Sequence, residues 1–448
     1  MTDLIGGPRY PSFLHSFAKL ALANIISNLM VPLAGLIDTA FLGHLADIRH
    51  LAGVALATVI FNVVYWSFGF LRMGTTGTTA QARGRSDQDE IWLIPLRNGL
   101  IAIALASLIL LLQVPIRTLG FTLLGAEASV EAAGMDYFNR QIWGAPAVLL
   151  NLVLLGWFLG QEKGRWVVLL SLVGNGGNVL LNYWFIRRLG WASGGAGLAT
   201  ALSQYLMLAI GLGLLLQMGG WDRLRQVASK AWDPQALGSL FRLNRDIMVR
   251  TFALLLSFSL FTSFSAGLGT EILAANTLLL QVVTFSAYFI DGIAFATESM
   301  AGRLHGGGQA KQLRSLLAIG GITSVGLGIG FALSFGLLPK TLFGLLTIHQ
   351  PVVDRASAYV GWLLPILGLG AIAYLLDGYF LGLTAGKTLR NATLVAAGVG
   401  FLPLALAARA IASPHLLWLA LASFMAARAL TLMAAVPKSL GNPRPPLA

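Results

Sequence analysis

Runs of about twenty or more mainly apolar residues, separated by short polar connections, follow one another along almost the whole chain. A helix needs about 20 residues at a rise of about 1.5 Å each to cross a hydrocarbon core of about 30 Å. Each run is therefore predicted to be a membrane-spanning helix. The runs lie near residues 13–43, 51–80, 91–114, 130–160, 165–187, 194–218, 242–268, 272–302, 313–338, 352–383, 388–412 and 414–437, which makes twelve spans. Because lipid offers no partner to an open backbone, the fold class this implies is an all-α polytopic membrane protein. Residues Met1 to Tyr10 show no charged segment followed by a short apolar stretch and a small-residue cleavage site, so the first run is expected to stay as a span.

The polar connections set the expected topology. On alternate sides of the twelve spans, Lys and Arg residues number twenty (from Arg9 and Lys19 through Arg250 to Lys438 and Arg444) against seven (Arg49, Arg117, Arg187, Arg188, Lys340, Arg355 and Arg409). Positive loops stay in the cytoplasm, so both termini are expected there, in a multi-pass protein of the inner or plasma membrane. The longest connection, 219–240, carries Trp221, Trp232 and several basic residues and reads as a cytoplasmic linker with an interfacial amphipathic helix. It separates an expected N-lobe, 10–218, from a C-lobe, 241–437.

A shift of 222 residues superposes Gly84 on Gly306, Tyr137 on Tyr359, Gly156 on Gly378, Phe158 on Phe380, Gly160 on Gly382 and Gly164 on Gly386. One offset serves all of these matches, so the halves read as duplicated six-span bundles in parallel orientation. Two pseudo-symmetric six-helix lobes around a central cavity form the architecture of alternating-access transporters.

Composition agrees with this reading. Of 448 residues, 56% are hydrophobic and 11% charged, less than half of the roughly 25% typical of soluble domains, and mean hydropathy is +0.76. Soluble enzymes and disordered scaffolds are excluded. The net charge of +12 comes from Lys and Arg clustered mainly in the connections and points to membrane topology rather than to nucleic acid. There is no cysteine, so no disulfide and no thiolate site. No HExxH pair and no GxxxxGK[ST] loop occurs, so no cofactor, resident metal or ATP-driven step is expected. An ion gradient is then the natural driving force.

Polar groups at membrane depth cost a few kcal/mol unless they are paired or face a cavity, so they mark candidate chemistry. Asp38 lies in VPLAGLIDTAFLGHL, six residues after Pro32, which is expected to perturb the helix. In the fifth span Ser171, Asn175, Asn178 and Asn182 follow i, i+4, i+7, i+11 spacing and share one face. Thr200, Tyr137 and Asn151 add oxygens in neighbouring spans. In the second half, Gln281, Thr284, Tyr288, Asp291 and Glu298 form a stripe along the eighth span, and Asp377 lies in the tenth. The repeat places Leu260 opposite Asp38 and Leu155 opposite Asp377, so the lobes are chemically unequal. Arg72 and Arg428 are expected to pair with carboxylates or to snorkel.

VPLAGLIDTAFLGHL, FLRMGTTGTTAQARG, LLGWFLG, LNRDIMVR and DGIAFATESMAG, in this order, resemble motifs of the multidrug and toxic compound extrusion (MATE) family, in particular its DinF-like branch, over residues 10–435. The resemblance implies two six-helix lobes and export of cationic or amphipathic small molecules in exchange for H+ or Na+. It implies an N-lobe coupling site of Asp38, Asn178, Asn182 and Thr200, with Tyr137 and Asn151 nearby. The same four residues would receive Na+, and Asp377 matches a tenth-span carboxylate of other branches. This chain departs from the pattern at Ala23, commonly Pro, and at Asn182, usually Asp, which leaves Asp38 as the lone acid of that pocket.

Four expectations follow. Asp38 couples transport, and H+ dominates over Na+ because one carboxylate holds Na+ weakly. In the other lobe Gln281, Tyr288, Asp291, Glu298 and Asp377 attract and orient cationic substrate. The protein is expected to act as a monomer. The alternative activity is a flippase for lipid-linked precursors in the same superfamily, which would call for a strongly cationic cavity and extra spans; channel and receptor readings leave the duplicated, acid-bearing lobes unexplained.

Overall fold

Residues 10–441 are described by the computed structural model, and every regular element among them is helical. We label the long helices α1 (Tyr10–Gly43), α2 (Arg49–Gly84), α3 (Gln88–Leu111), α4 (Ala128–Gly160), α5 (Gly164–Asn182), α6 (Ala192–Gln217), α7 (Pro234–Gly267), α8 (Thr270–Gly306), α9 (Ala310–Leu337), α10 (Gln350–Gly382), α11 (Gly386–Ala410) and α12 (Pro414–Gly441). They follow the twelve apolar runs one for one. Among the described residues eleven are long and apolar enough to cross a membrane, and α5 is the one left out. Its asparagines and glycines lower its mean hydropathy. Arg9, Arg444 and the reading of the first residues as lacking a signal lie outside the described residues.

Breaks within the long helices have local causes. The 3-10 turns Ile142–Gly144 in α4 and Val360–Trp362 in α10 stand just before Pro146 and Pro365, whose rings supply no N–H and disfavour α geometry in the residue before them. A π-turn, Ala396–Phe401, precedes Pro403 in α11, and another, Tyr183–Arg188, begins at the residue after Asn182 at the end of α5. Pro32 does not interrupt α1, which stays helical through it.

The helices gather into two compact units. One is Ile26–Leu240; the other runs from Phe241 to the described end and includes the residues of α1 up to Ile25. Gly292 of α8 explains that assignment of the first turns of α1, since a Cβ there would sit 2.7 Å from the backbone nitrogen of Ile25.

The 222-residue repeat is written into the backbone. The helix starts Gln88, Ala128, Gly164 and Ala192 are answered by Ala310, Gln350, Gly386 and Pro414. Left-handed residues recur at the same offset: Ser86 (φ 60°) with Gly308 (67°), Glu162 (56°) with Thr384 (53°), and Gly190 (69°) with Ala412 (51°). Each lies just past a helix or its last π-turn, where a residue with positive φ reverses the chain. Four of the six are not glycine, so the turn geometry rather than the residue type is what repeats. Helix crossings repeat too. A Cβ at Gly156 or Gly160 would meet the carbonyl of Arg72 or Thr76, and one at Gly378 or Gly382 that of Ala294 or Glu298, again 222 residues apart. Small residues allow α2 on α4, and α8 on α10, to approach to backbone contact.

Candidate functional site

In the Ile26–Leu240 unit, α1, α5 and α6 bring Asp38, Asn178, Asn182 and Thr200 into one hydrogen-bonded group. The i, i+4 spacing places both amides on the same face of α5, and Asn182 is 0% exposed. Asn182 Nδ2 donates to Asp38 Oδ1 at 2.6 Å and to Asn178 Oδ1 at 3.1 Å. Asn178 Nδ2 donates to Thr200 Oγ1 at 3.1 Å, and the Thr200 hydroxyl donates to the Ala196 carbonyl at 3.0 Å. In this arrangement Asn178 Oδ1 lies 2.8 and 3.1 Å from the two Asp38 oxygens. Acceptor then faces acceptor. A proton on the Asp38 carboxyl resolves the conflict by donating to Asn178.

Turning the Asn178 amide over gives the complementary arrangement. Its nitrogen donates to both carboxylate oxygens, its oxygen accepts from Thr200 Oγ1 at 3.1 Å, and the two amide nitrogens of Asn178 and Asn182 stand 3.1 Å apart, donor against donor. The atom positions admit either orientation of the Asn178 amide. One suits a neutral Asp38 and the other a charged one. A π-turn at the end of α5 adjoins this group, a feature common at functional positions.

The remaining members of this set stand around it. Tyr137 is buried, with its phenol near Thr200, Thr58 and Asp38 and its ring edge-on to Phe61 at 6.2 Å. Asn151 Nδ2 donates to the carbonyl (2.9 Å) and the Oε1 (3.1 Å) of Gln204, so it ties α4 to α6 one turn beyond Thr200. Asn175 donates to the Ser171 carbonyl of its own helix at 2.8 Å.

In the second unit Asp377 is buried against two arginines. Asp377 is 3% exposed, and its Oδ2 accepts from both Arg250 of α7 and Arg428 of α12. The Arg428 guanidinium lies 5.5 Å from the ring centres of both Tyr374 and Phe424. The Asp377 carboxylate is already paired with two guanidiniums inside the unit. Arg428 does pair with a carboxylate, as its depth in the span implied. Arg250, counted among loop charges by the sequence pattern, is buried inside α7. It was missed because the count did not weigh its depth of seventeen residues into the Pro234–Gly267 helix.

The α8 stripe is graded along its length. Gln281 and Thr284 are exposed, Tyr288 and Asp291 half-buried, and Glu298 is buried where α8 crosses α10 at Gly382. Glu298 thus sits in helix packing rather than on an open face.

The MatE family model matches residues 23–184 and 247–407, one match in each half. The chain is 36% identical over 420 residues to the DNA damage-inducible protein F of Escherichia coli, covering 93% of this chain and 90% of the relative. It is 22% identical over 371 residues to a probable multidrug resistance protein NorM of Thermotoga maritima, covering 82% and 78%. Its fold is similar to the outward-facing conformation of a multidrug resistance MATE family transporter of the MOP superfamily, with TM-score 0.86 at 19% identity over 98% of each chain.

Proposed function

The chain belongs to the MatE family of multidrug efflux transporters, and from that premise we propose that it is a secondary active antiporter, exporting cationic or amphipathic small molecules in exchange for H+ by alternating access. The observation that carries the choice of ion is the polarity of the Asp38 group. Asn182 directs an N–H, not an oxygen, at the carboxylate, and the Asn178 amide can meet Asp38 with its oxygen when the acid is neutral or, turned over, with its N–H when it is charged. A Na+ ion needs several oxygens turned inward; here a donor occupies one of those places, and Asp38 supplies the only negative charge of the group.

Loading H+ on Asp38 lets it donate to Asn178, which in turn donates to Thr200. Release of H+ reverses the Asn178 amide, and Thr200 then donates back to it. The proton state of α1 is thereby expressed in the hydrogen bonds of α5 and α6. Of the residues expected to meet substrate on the other unit, Gln281, Tyr288 and Asp291 keep exposure, whereas Asp377 and Glu298 hold helices together. We place the protein in the inner or plasma membrane, with both termini cytoplasmic, working as a monomer.

Asp38→Asn tests this reading. In proteoliposomes with an imposed pH gradient, the variant is expected to insert normally and to show no gradient-driven efflux. Efflux at the wild-type rate would remove Asp38 from the coupling step.

A further inference from the structure

The linker between α6 and α7 is fixed in place rather than slack. Arg97 of α3, 3% exposed, donates to the carbonyls of Lys230 at 2.9 Å and Ala231 at 3.3 Å, and its guanidinium pairs with Glu90 at 3.1 Å. Lys230 pairs with Asp89 at 2.6 Å. Between these anchors and the end of α6 lies the short helix Gly220–Val227, which buries Gly220 and Val227 and turns Trp221, Arg223 and Arg225 outward. Trp221 is 67% exposed and Trp232 72%.

At the start of the linker lies a second group of cations. Met218, the residue that leads into the linker, has its Sδ 3.0 Å from Lys163 Nζ in the α4–α5 turn. Arg83 bonds the Gln161 carbonyl and stands 3.5 Å from Glu162, so its charge is answered. Arg165 lies over the Trp166 ring at 5.1 Å. Among the described residues, Lys163, Arg165, Arg223 and Arg225 have no carboxylate within ion-pair distance. Burial, then the neighbouring charges of Arg83 and Arg165, holds the Lys163 ammonium below its ordinary value. An anion at this corner relieves that repulsion.

We propose that this corner of the Ile26–Leu240 unit is a binding site for the headgroup of an anionic phospholipid, with Lys163, Arg165, Arg223 and Arg225 facing the phosphate and Trp221 seated at the bilayer interface. The choice of a lipid over a soluble partner rests on position. The linker leaves α6 within two residues of its end, at the level where a membrane-length helix meets the headgroups, and indole rings favour that level. Basic side chains beside them attract anionic headgroups.

The test uses the purified full chain in detergent micelles carrying equal dioleoyl phosphatidylglycerol and dioleoyl phosphatidylcholine, with retained lipid counted by native mass spectrometry. Wild type is expected to retain phosphatidylglycerol over phosphatidylcholine by about a hundredfold or more, since four cations each contribute about fivefold. Each removed cation is expected to weaken that preference about fivefold, so Arg223→Gln with Arg225→Gln, on the exposed helix, costs about 25-fold, and adding Lys163→Gln and Arg165→Gln abolishes it. Equal preference in wild type and variants overturns the proposal. So does displacement of the lipid by millimolar inorganic phosphate, which would mark a free-anion site. Should the fourfold variant fail to fold, wild type decides: preference that falls as NaCl is raised supports the site, and preference indifferent to salt overturns it.

Discussion

Asn182→Asp reaches furthest into the coupling chemistry. The side chains are nearly the same size, but the change turns the N–H that now donates to Asp38 Oδ1 at 2.6 Å into an acceptor and adds a second carboxylate to a position with 0% exposure. Two unit charges about 4 Å apart repel by about 4 kcal/mol at an effective dielectric of about 20. That is close to three decades in an equilibrium constant, so the pair will not stand ionised without a cation between its oxygens. Asn178 Oδ1 and Thr200 Oγ1 are placed to add two more oxygen ligands once the amide no longer claims the carboxylate. The expected outcome is a gain of Na+ response. In proteoliposomes at fixed pH, an imposed Na+ gradient should drive efflux by the variant at least about tenfold faster than by wild type, which should follow a pH gradient imposed without Na+. Wild-type efflux that requires Na+ and ignores pH refutes the reasoning, as does a folded Asn182→Asp protein indifferent to Na+.

Other outcomes follow from the packing. Asp377→Asn leaves Arg250 and Arg428 buried without their counter-charge, a loss of about 3–5 kcal/mol to be read by thermal unfolding in detergent; replacing all three residues by Leu, Met and Met should recover most of it, and an unshifted transition for the single variant would show that the pairs hold nothing. Gly382→Ala should lower folded yield because its Cβ meets the Glu298 carbonyl, while Gly368→Ala, with open space around it, should not; equal yields would refute the close crossing. Arg97→Met removes the charged hydrogen bonds that fix the linker, worth about 1.5–3 kcal/mol each, so limited proteolysis between Ala228 and Trp232 should accelerate about tenfold or more. Unchanged cleavage would mean the linker is held by something else.

Periodicity and the repeat were enough to read much of this protein from its sequence. Apolar run length is a local property, and it located the twelve long helices of the described residues because lipid leaves a single chain segment no alternative to pairing its own backbone. The 222-residue offset carried more than homology of shape. It anticipated where helices start, where the chain turns through positive φ, and that Gly156, Gly160, Gly378 and Gly382 stand at matching crossings. The Asn178 and Asn182 face could be read for the same reason, since i, i+4 spacing on one helix needs no knowledge of its neighbours.

Tertiary structure decided what depends on which faces meet. Arg250 and Arg428 lie 127 and 51 residues from Asp377 in the chain, and no local pattern distinguishes a carboxylate that will meet two guanidiniums from one that will meet a substrate. The same holds for Arg97, whose linker carbonyls are more than 130 residues away, and for the first turns of α1, which join the later unit because Gly292 leaves room for Ile25. The sequence supplies the charges and their helical faces. Long-range packing chooses the partner of each, because burial makes an unpaired charge so costly that the partner it finds sets its role.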